Sequence, residues 1–331
     1  MRRAYSVKGI TFPFAAGVPG AYHVPRTVSP RMPSAFPNFE PLGLEHKPLV
    51  ESYASKFPPY SDFNFTSLYC YNTTGSVGVC TLNDNLVVRF SDYLTCRPFY
   101  SFLGDVKTSE TAHALLEHAK KEGGEAELKL VPESAVHGLD RAKFRVEEDG
   151  DNVDYVLSID RLESYEGSKL KPHRNAVTRF LRSHRPETRR LDLTDPAIEE
   201  MLTTFFLHWV EQRKIPFSEA ENEFKAMSNL FKLLPHEPIF GIGIFVDGTL
   251  AGFSISEILS EGYATIHYEK GDPSRYIGIY EYVTQETAKI LSGMGCMHIN
   301  YQQDMGLPGL KAYKKGYHPA SYLRKFRVSW K

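Results

Sequence analysis

Apolar residues recur at helical spacing from Leu44 to Phe57, with a proline near the start, and predict a helix there. Residues 61–72 open on Ser61-Asp62, a cap signal, and are rich in aromatics. Val77–Leu82 and Leu86–Phe90 flank Asn83-Asp84-Asn85, which predicts a hairpin. A helix over Ser109–Glu122 closes at Gly123-Gly124, and strands follow at 126–131, 143–146 and 155–159. The second half of the chain repeats the plan. Helices are predicted over Pro196–Lys214 and Glu219–Leu234, bounded by Pro216 and Pro235. Strands 239–246 and 250–259 then flank Asp247-Gly248, a strong hairpin signal. Strand 263–268, helix 276–291, strand 297–301, a short helix near 309–315 and a single final strand, 322–329, complete it.

Helices, an antiparallel meander, then helix–strand–helix–strand is the order of a GNAT-like acyltransferase domain. Its recurrence predicts an α+β fold of tandem GNAT-like domains, each a twisted, mostly antiparallel sheet flanked by helices. The expected boundaries are an N-terminal arm at 1–38, a first domain at 39–165, a basic connecting segment at 166–190 and a second domain at 191–331. Residues 1–35 carry five basic residues and no acid, and lack the apolar core of a secretory signal.

At 331 residues the chain is long enough for one large domain or two ordinary ones, and a net charge of −1 predicts no nucleic-acid partner by itself. The distribution of charge changes that picture. Lys169 to Arg190 holds eight basic residues against the single acid Glu187, and Met305 to Lys331 holds seven with no acid. Each run reads either as a solvated face or, if the two meet, as a positive surface suited to phosphates or RNA. The longest apolar run, Ile239 to Val246, is eight residues, too short to span a bilayer. Four cysteines without Cys-x-x-Cys spacing point to a reduced, cytoplasmic setting without structural zinc.

Candidate chemistry concentrates between His267 and Tyr322. Arg275-Tyr-Ile-Gly278-Ile-Tyr280 stands between a predicted strand and helix. There a glycine turn and the helix dipole suit a pyrophosphate, although an ordinary strand-to-helix turn has the same pattern. Tyr280 stands where a small residue would serve coenzyme A better. Asn300-Tyr-Gln302-Gln303-Asp304 ends a strand ahead of a Gly/Pro-rich loop. Asp304 reads as a base, as an anchor for a substrate amine, or as a helix cap. Lys311, Lys314 and Lys315 share one helical face, and Tyr317 follows as a candidate acid for a leaving group. His267 and Glu269 share a strand face that offers a general base, although a buried, hydrogen-bonded histidine fits as well. Arg174 and Asn175 lie within the first basic run, as a phosphate contact or part of an exposed linker helix.

At these residues the chain resembles the DUF2156 family, whose members match the C-terminal domain of phosphatidylglycerol lysyltransferases. Glu269-Lys270, Gly278, Tyr280, Asn300, Asp304, Gly306, Leu307, Gly309, Leu310, Lys311, Lys314, Tyr317, Pro319 and Lys325 carry the resemblance. Ser61-Asp62 and Arg174-Asn175 add weaker matches. The resemblance implies aminoacyl transfer from aminoacyl-tRNA, as a co-substrate with no tightly bound cofactor. The acceptor would be a small molecule or a lipid headgroup. With the residue readings above, the catalytic candidates are Asp304, Tyr317 and Glu269. Arg275, Gly278, Tyr280, Asn300, Gln302, Lys311, Lys314, Arg174 and Asn175 would bind donor and substrate, with no metal. Where the family places Arg-Glu after the asparagine, this chain has Tyr301-Gln302, and the membrane-spanning half of the lipid-modifying enzymes has no counterpart. Acyl-CoA is the alternative donor, and a non-catalytic binding module is the reading from another class.

Overall fold

The computed structural model describes residues 34–92, 97–234, 238–260 and 262–331, with two short strands, Ser6–Val7 and Ile10–Thr11, that pair with each other. The described residues from Ser34 to Lys331 belong to one compact unit. The rest of the expected N-terminal arm lies mostly outside the described residues.

This unit is mixed α/β, built on two seven-stranded, mostly antiparallel sheets. In spatial order the first contains Glu40–Pro41, Gly78–Leu82, Asn85–Ser91, Pro98–Leu103, Glu127–Pro132, Lys325–Trp330 and Phe144–Glu148. The second contains Pro186–Leu191, Ile239–Val246, Thr249–Ser260, Tyr263–Gly271, His298–Asn300, Asp154–Ser158 and Ser321–Leu323. Both hairpins form where Asn83-Asp84 and Asp247-Gly248 adopt positive φ, the backbone that tight hairpin turns require.

The sheets exchange strands. Asp154–Ser158, expected in the first domain, pairs with His298–Asn300 and Ser321–Leu323 of the second sheet. The C-terminal strand Lys325–Trp330 returns to the first sheet, between Glu127–Pro132 and Phe144–Glu148. The single strand expected over 322–329 is therefore two strands in different sheets, with Arg324 between them. At this crossing the Lys325 side chain is drawn inward by two buried carboxylates. The boundaries at 165 and 191 cut across this topology. Pro186–Leu191, expected within the connecting segment, is an edge strand of the second sheet. Its exposed arginines are a charge pattern that protects an open edge.

One apolar cluster joins the halves: Phe63, Phe65 and Leu68 pack with Phe206, Met227, Leu230, Phe253 and Tyr268. Burial of these large side chains contributes about 1.5–3 kcal/mol each. The halves consequently hold one another at the level of packing as well as strand order. Among the described residues no helix is long and apolar enough to cross a membrane.

Candidate active site

Strand Tyr263–Gly271 runs parallel to His298–Asn300 only as far as the pair Thr265 and Asn300. Beyond it the first strand continues to Gly271, while the second turns off at Gln302, whose φ is 59°. Gln302 braces the opening, its Nε2 donating to the Ile266 carbonyl at 3.0 Å. The neighbouring ladder shifts register at Ile255/Ser256, an irregularity of the kind that re-aims side chains.

Glu269 stands in this opening among hydroxyl groups. Its Oε1 accepts from Tyr301 at 2.6 Å and from Tyr313 at 3.4 Å, and Thr284 Oγ1 lies 3.1 Å from its Oε2. Tyr317 extends the cluster, 3.1 Å from Thr284 Oγ1 and 2.8 Å from the Tyr313 hydroxyl. No lysine or arginine pairs with Glu269 among the described residues. Burial raises its pKa from 4.5 to about 7 against the pull of hydrogen bonds from Tyr301, Thr284 and Tyr313, and Glu281 adds to the rise. Burial also holds the phenols of Tyr301, Tyr313 and Tyr317 well above their ordinary range, so they remain hydrogen-bond donors. Thr284 has one proton and two acceptors, since the Tyr280 carbonyl lies 2.9 Å away. When Thr284 donates to Tyr280, its oxygen is free to accept from a protonated Glu269. The carboxyl thus has partners in both protonation states, which suits a group that gains and loses a proton near neutrality.

The other expected residues have different positions. Asp304 is fully buried: Oδ2 accepts from Tyr155 at 2.5 Å and Oδ1 from the Gly306 amide at 2.9 Å, closing the loop before the last helix. That helix, Pro308–Gly316, has Leu307 at its N-cap position and no side-chain cap. Asn300 is buried between the halves, donating to the Pro59 carbonyl at 2.7 Å and to Asp154 at 3.1 Å. The three lysines expected on one face do not converge on an anion. Lys314 is buried with its ammonium on the carbonyls of Tyr301 and Gln303 at 2.6 and 2.7 Å, and burial lowers its pKa to about 8. Lys311 pairs with Asp151 at 2.8 Å, and Lys315 is exposed. Tyr317 is 2% exposed and faces Thr284 and Tyr313, so it reaches the site through the hydroxyl cluster.

The turn at Gly278 is specialised for packing. Its φ is 91°, and a Cβ there would come within 2.3 Å of the Ala176 carbonyl, in helix Lys171–Ser183. The amides of Ser274 and Arg275 already donate to the nearly buried Asp272 carboxylate at 3.1 and 3.2 Å. Arg275 is exposed beside the Tyr276 ring. Arg174 supports the Tyr165 carbonyl at 2.6 Å, and Asn175 is exposed. The segments that carry the two basic runs touch at a histidine and a backbone carbonyl. His173 Nε2 donates to the Gly316 carbonyl at 2.9 Å, and its ring stacks on Tyr317 with centroids 4.4 Å apart.

Sequence reasoning passed over Tyr301, Tyr313, Thr284 and His173 as site residues. It also missed Trp209, whose indole N–H donates to the Tyr280 hydroxyl at 2.7 Å. Nineteen tyrosines were a signal of phenol chemistry, but their convergence is a product of the fold. Among the described residues no group of three or more His, Cys, Asp or Glu is placed to hold a metal.

The family model of the phosphatidylglycerol lysyltransferase C-terminal domain matches residues 56–329. The chain belongs to this family. No curated protein matches the sequence. Among solved structures, a conserved protein of unknown function from Bacteroides thetaiotaomicron superposes with a TM-score of 0.76 at 20% identity, over 88% of this chain and 99% of that one. L-PGS from Bacillus licheniformis gives 0.56 at 13% identity, over 85% and 91%. FemX gives 0.53 at 12% identity, over 88% and 96%. The fold of this family member is GNAT-like, and its family places it with transferase domains of the aminoacyltransferase type.

Proposed function

We propose that the protein transfers an aminoacyl group from aminoacyl-tRNA to an amine or hydroxyl acceptor, with Glu269 as the general base. The observation that carries this reading is Glu269 itself: a carboxylate held near neutrality by burial, with hydroxyl partners in both protonation states. The acceptor N–H or O–H would give its proton to Glu269 as its heteroatom attacks the ester carbonyl carbon. Collapse of the tetrahedral adduct breaks the bond to the ribose oxygen, and protonated Glu269 returns the proton to that oxygen. The exposed basic side chains of helix Lys171–Ser183, among them Lys171, Arg179 and Arg182, support a tRNA partner, because backbone neutralisation dominates such binding. A small molecule or a lipid headgroup remains the acceptor class. Asp272 favours this donor over acyl-CoA, since it already takes the Ser274 and Arg275 amides of the turn.

Incubation of the purified protein with labelled aminoacyl-tRNAs and, separately, labelled acetyl-CoA tests the reading. Label leaves the tRNA in the presence of acceptor, and Glu269→Gln abolishes that release. Turnover with acetyl-CoA alone overturns the proposal, and silence with both donors favours a binding module.

A further inference from the structure

Helix Pro196–Gln212 reaches the site at its C-terminal end, and what it presents there has no part in the proton chemistry of Glu269. Trp209 is half-buried and fixed on several sides. Its N–H donates to the Tyr280 hydroxyl, and the Lys270 ammonium sits 3.8 Å from its ring centroid, itself tethered to Glu223 at 2.8 Å. Gln212 Nε2 bonds Asp272 Oδ2 at 3.3 Å and ties the helix end to the turn before Gly278. The next residue, Arg213, is exposed, and its guanidinium lies 5.8 Å from the Trp209 ring centroid and 5.9 Å from that of Tyr280. It pairs with no carboxylate among the described residues. A rigid indole, a phenol and a free guanidinium within one side chain's reach are the components of a base-stacking platform.

We infer that Trp209, Tyr280 and Arg213 seat the purine base of the nucleoside that carries the acyl group, the 3′-terminal adenosine of the donor. This rests on the transfer reading above and deepens it. Distance selects among adenine-bearing donors. The Tyr280 ring is 6.1 Å from the Tyr313 ring, and the Tyr313 hydroxyl is 3.4 Å from Glu269. A base on this platform is about one nucleoside away from the base that must reach the acceptor. In an aminoacyl-adenosine the ester is on the ribose of that same nucleoside. In acyl-CoA the whole pantetheine arm separates adenine from the thioester, so the same seat cannot serve both ends. The guanidinium stacks on the base or contacts its phosphate, and either contact strengthens donor binding without touching the reacting atoms.

The chain has two tryptophans, and the other, Trp330, stacks on Phe144 in the first sheet. A Trp330→Phe protein therefore reports on Trp209 alone. Its fluorescence is titrated with a non-hydrolysable 3′-aminoacylamido-adenosine, with the cytidine counterpart and with coenzyme A. Saturable quenching by the adenosine analogue is expected, at least about tenfold tighter than by the other two, and Arg213→Gln weakens it by about tenfold. In transfer assays Arg213→Gln raises KM for aminoacyl-tRNA with kcat nearly unchanged. Absence of quenching, equal quenching by coenzyme A, or an Arg213→Gln protein with unaltered binding overturns the platform. If quenching holds but no aminoacyl-tRNA is turned over, the platform stands and the transfer reading fails. If transfer is robust while Arg213→Gln leaves KM unchanged, the platform fails and the transfer reading stands.

Discussion

Asp154 and Glu269 are both withdrawn from bulk water, and their surroundings differ in kind. Asp154 faces a cation. Lys325, fully buried, donates to it at 2.7 Å and also pairs with Asp62; Ser61, Asn300 and Gln303 complete the group. Burial alone would depress the Lys325 pKa, but Asp154 and Asp62 outweigh it and hold the ammonium above its ordinary value. For Asp62 burial wins over the attraction of Lys325, and its pKa moves up. Glu269 has hydroxyls as its hydrogen-bond partners, and the buried Lys314 ammonium feels its charge without pairing with it. A compensated cluster has one stable state and suits structure; an unpaired carboxyl has two accessible states and suits chemistry. The positions agree with that division. Lys325 sits where the chain crosses from one sheet to the other, and Glu269 sits where two strands part.

Lys325→Met should have the largest effect on stability. Two buried carboxylates would lose their cation at the strand exchange, and removal of one partner of such a group costs about 3–5 kcal/mol. Urea unfolding should show that loss, and Asp62→Asn in the Lys325→Met background should recover part of it. A cost below about 1 kcal/mol would mean that the cluster is dispensable to the fold, and the contrast with Glu269 would collapse.

Glu269→Gln tests the other side and should have the opposite signature. Transfer should fall by about 10²–10⁴-fold, the usual contribution of a positioned base. Stability should not fall with it. In the folded protein Glu269 titrates at about 7, against 4.5 ordinarily. Between those values the folded chain holds a proton that the unfolded chain has lost, so stability drops as pH rises across that window. Integrated over the shift, the wild type loses up to about 3 kcal/mol between pH 4.5 and 7 through this group. Denaturation at a series of pH values should show that slope in the wild type and not in the glutamine variant. Over the same window kcat/KM of the wild type should rise towards a plateau above pH 7. A pH-independent rate would remove Glu269 from the base's role.

The fold was largely legible because its punctuation is local. Asn83-Asp84 and Asp247-Gly248 announce hairpins, and Pro196 and Pro216 mark where helices begin. The strand exchange was not, because nothing in residues 322–329 marks Arg324 as a crossing; Lys325 is claimed by carboxylates far away in sequence. The site was legible in part for the same reason. Glu269, Tyr280 and Tyr317 do gather, whereas Asn300, Asp304 and Lys314 carry the family resemblance as buried supports of the loops beside it. Polar residues at a strand end looked like ligand contacts, and a sequence cannot tell a side chain that binds a substrate from one that binds its own backbone. Trp209 lay too far from the motif to be considered, although tertiary packing puts it against Tyr280.

Gly278 belongs to one class in the sequence and to the other in the structure, so a smaller experiment there sharpens the division. As a phosphate turn it would matter for donor binding; as packed, it lets helix Lys171–Ser183 approach, with the Ala176 carbonyl 2.3 Å from where a Cβ would stand. Gly278→Ala adds that methyl at a φ of 91°, a conformation that costs an L-residue about 1–2 kcal/mol even before the clash. The helix must retreat, and it carries His173, whose ring stacks on Tyr317 and so touches the hydroxyl cluster of Glu269. Thermal unfolding should therefore show the alanine protein to be destabilised, with a decrease in kcat that reflects the displaced cluster. A rise in KM for the donor with unchanged stability would instead return Gly278 to the phosphate-binding role.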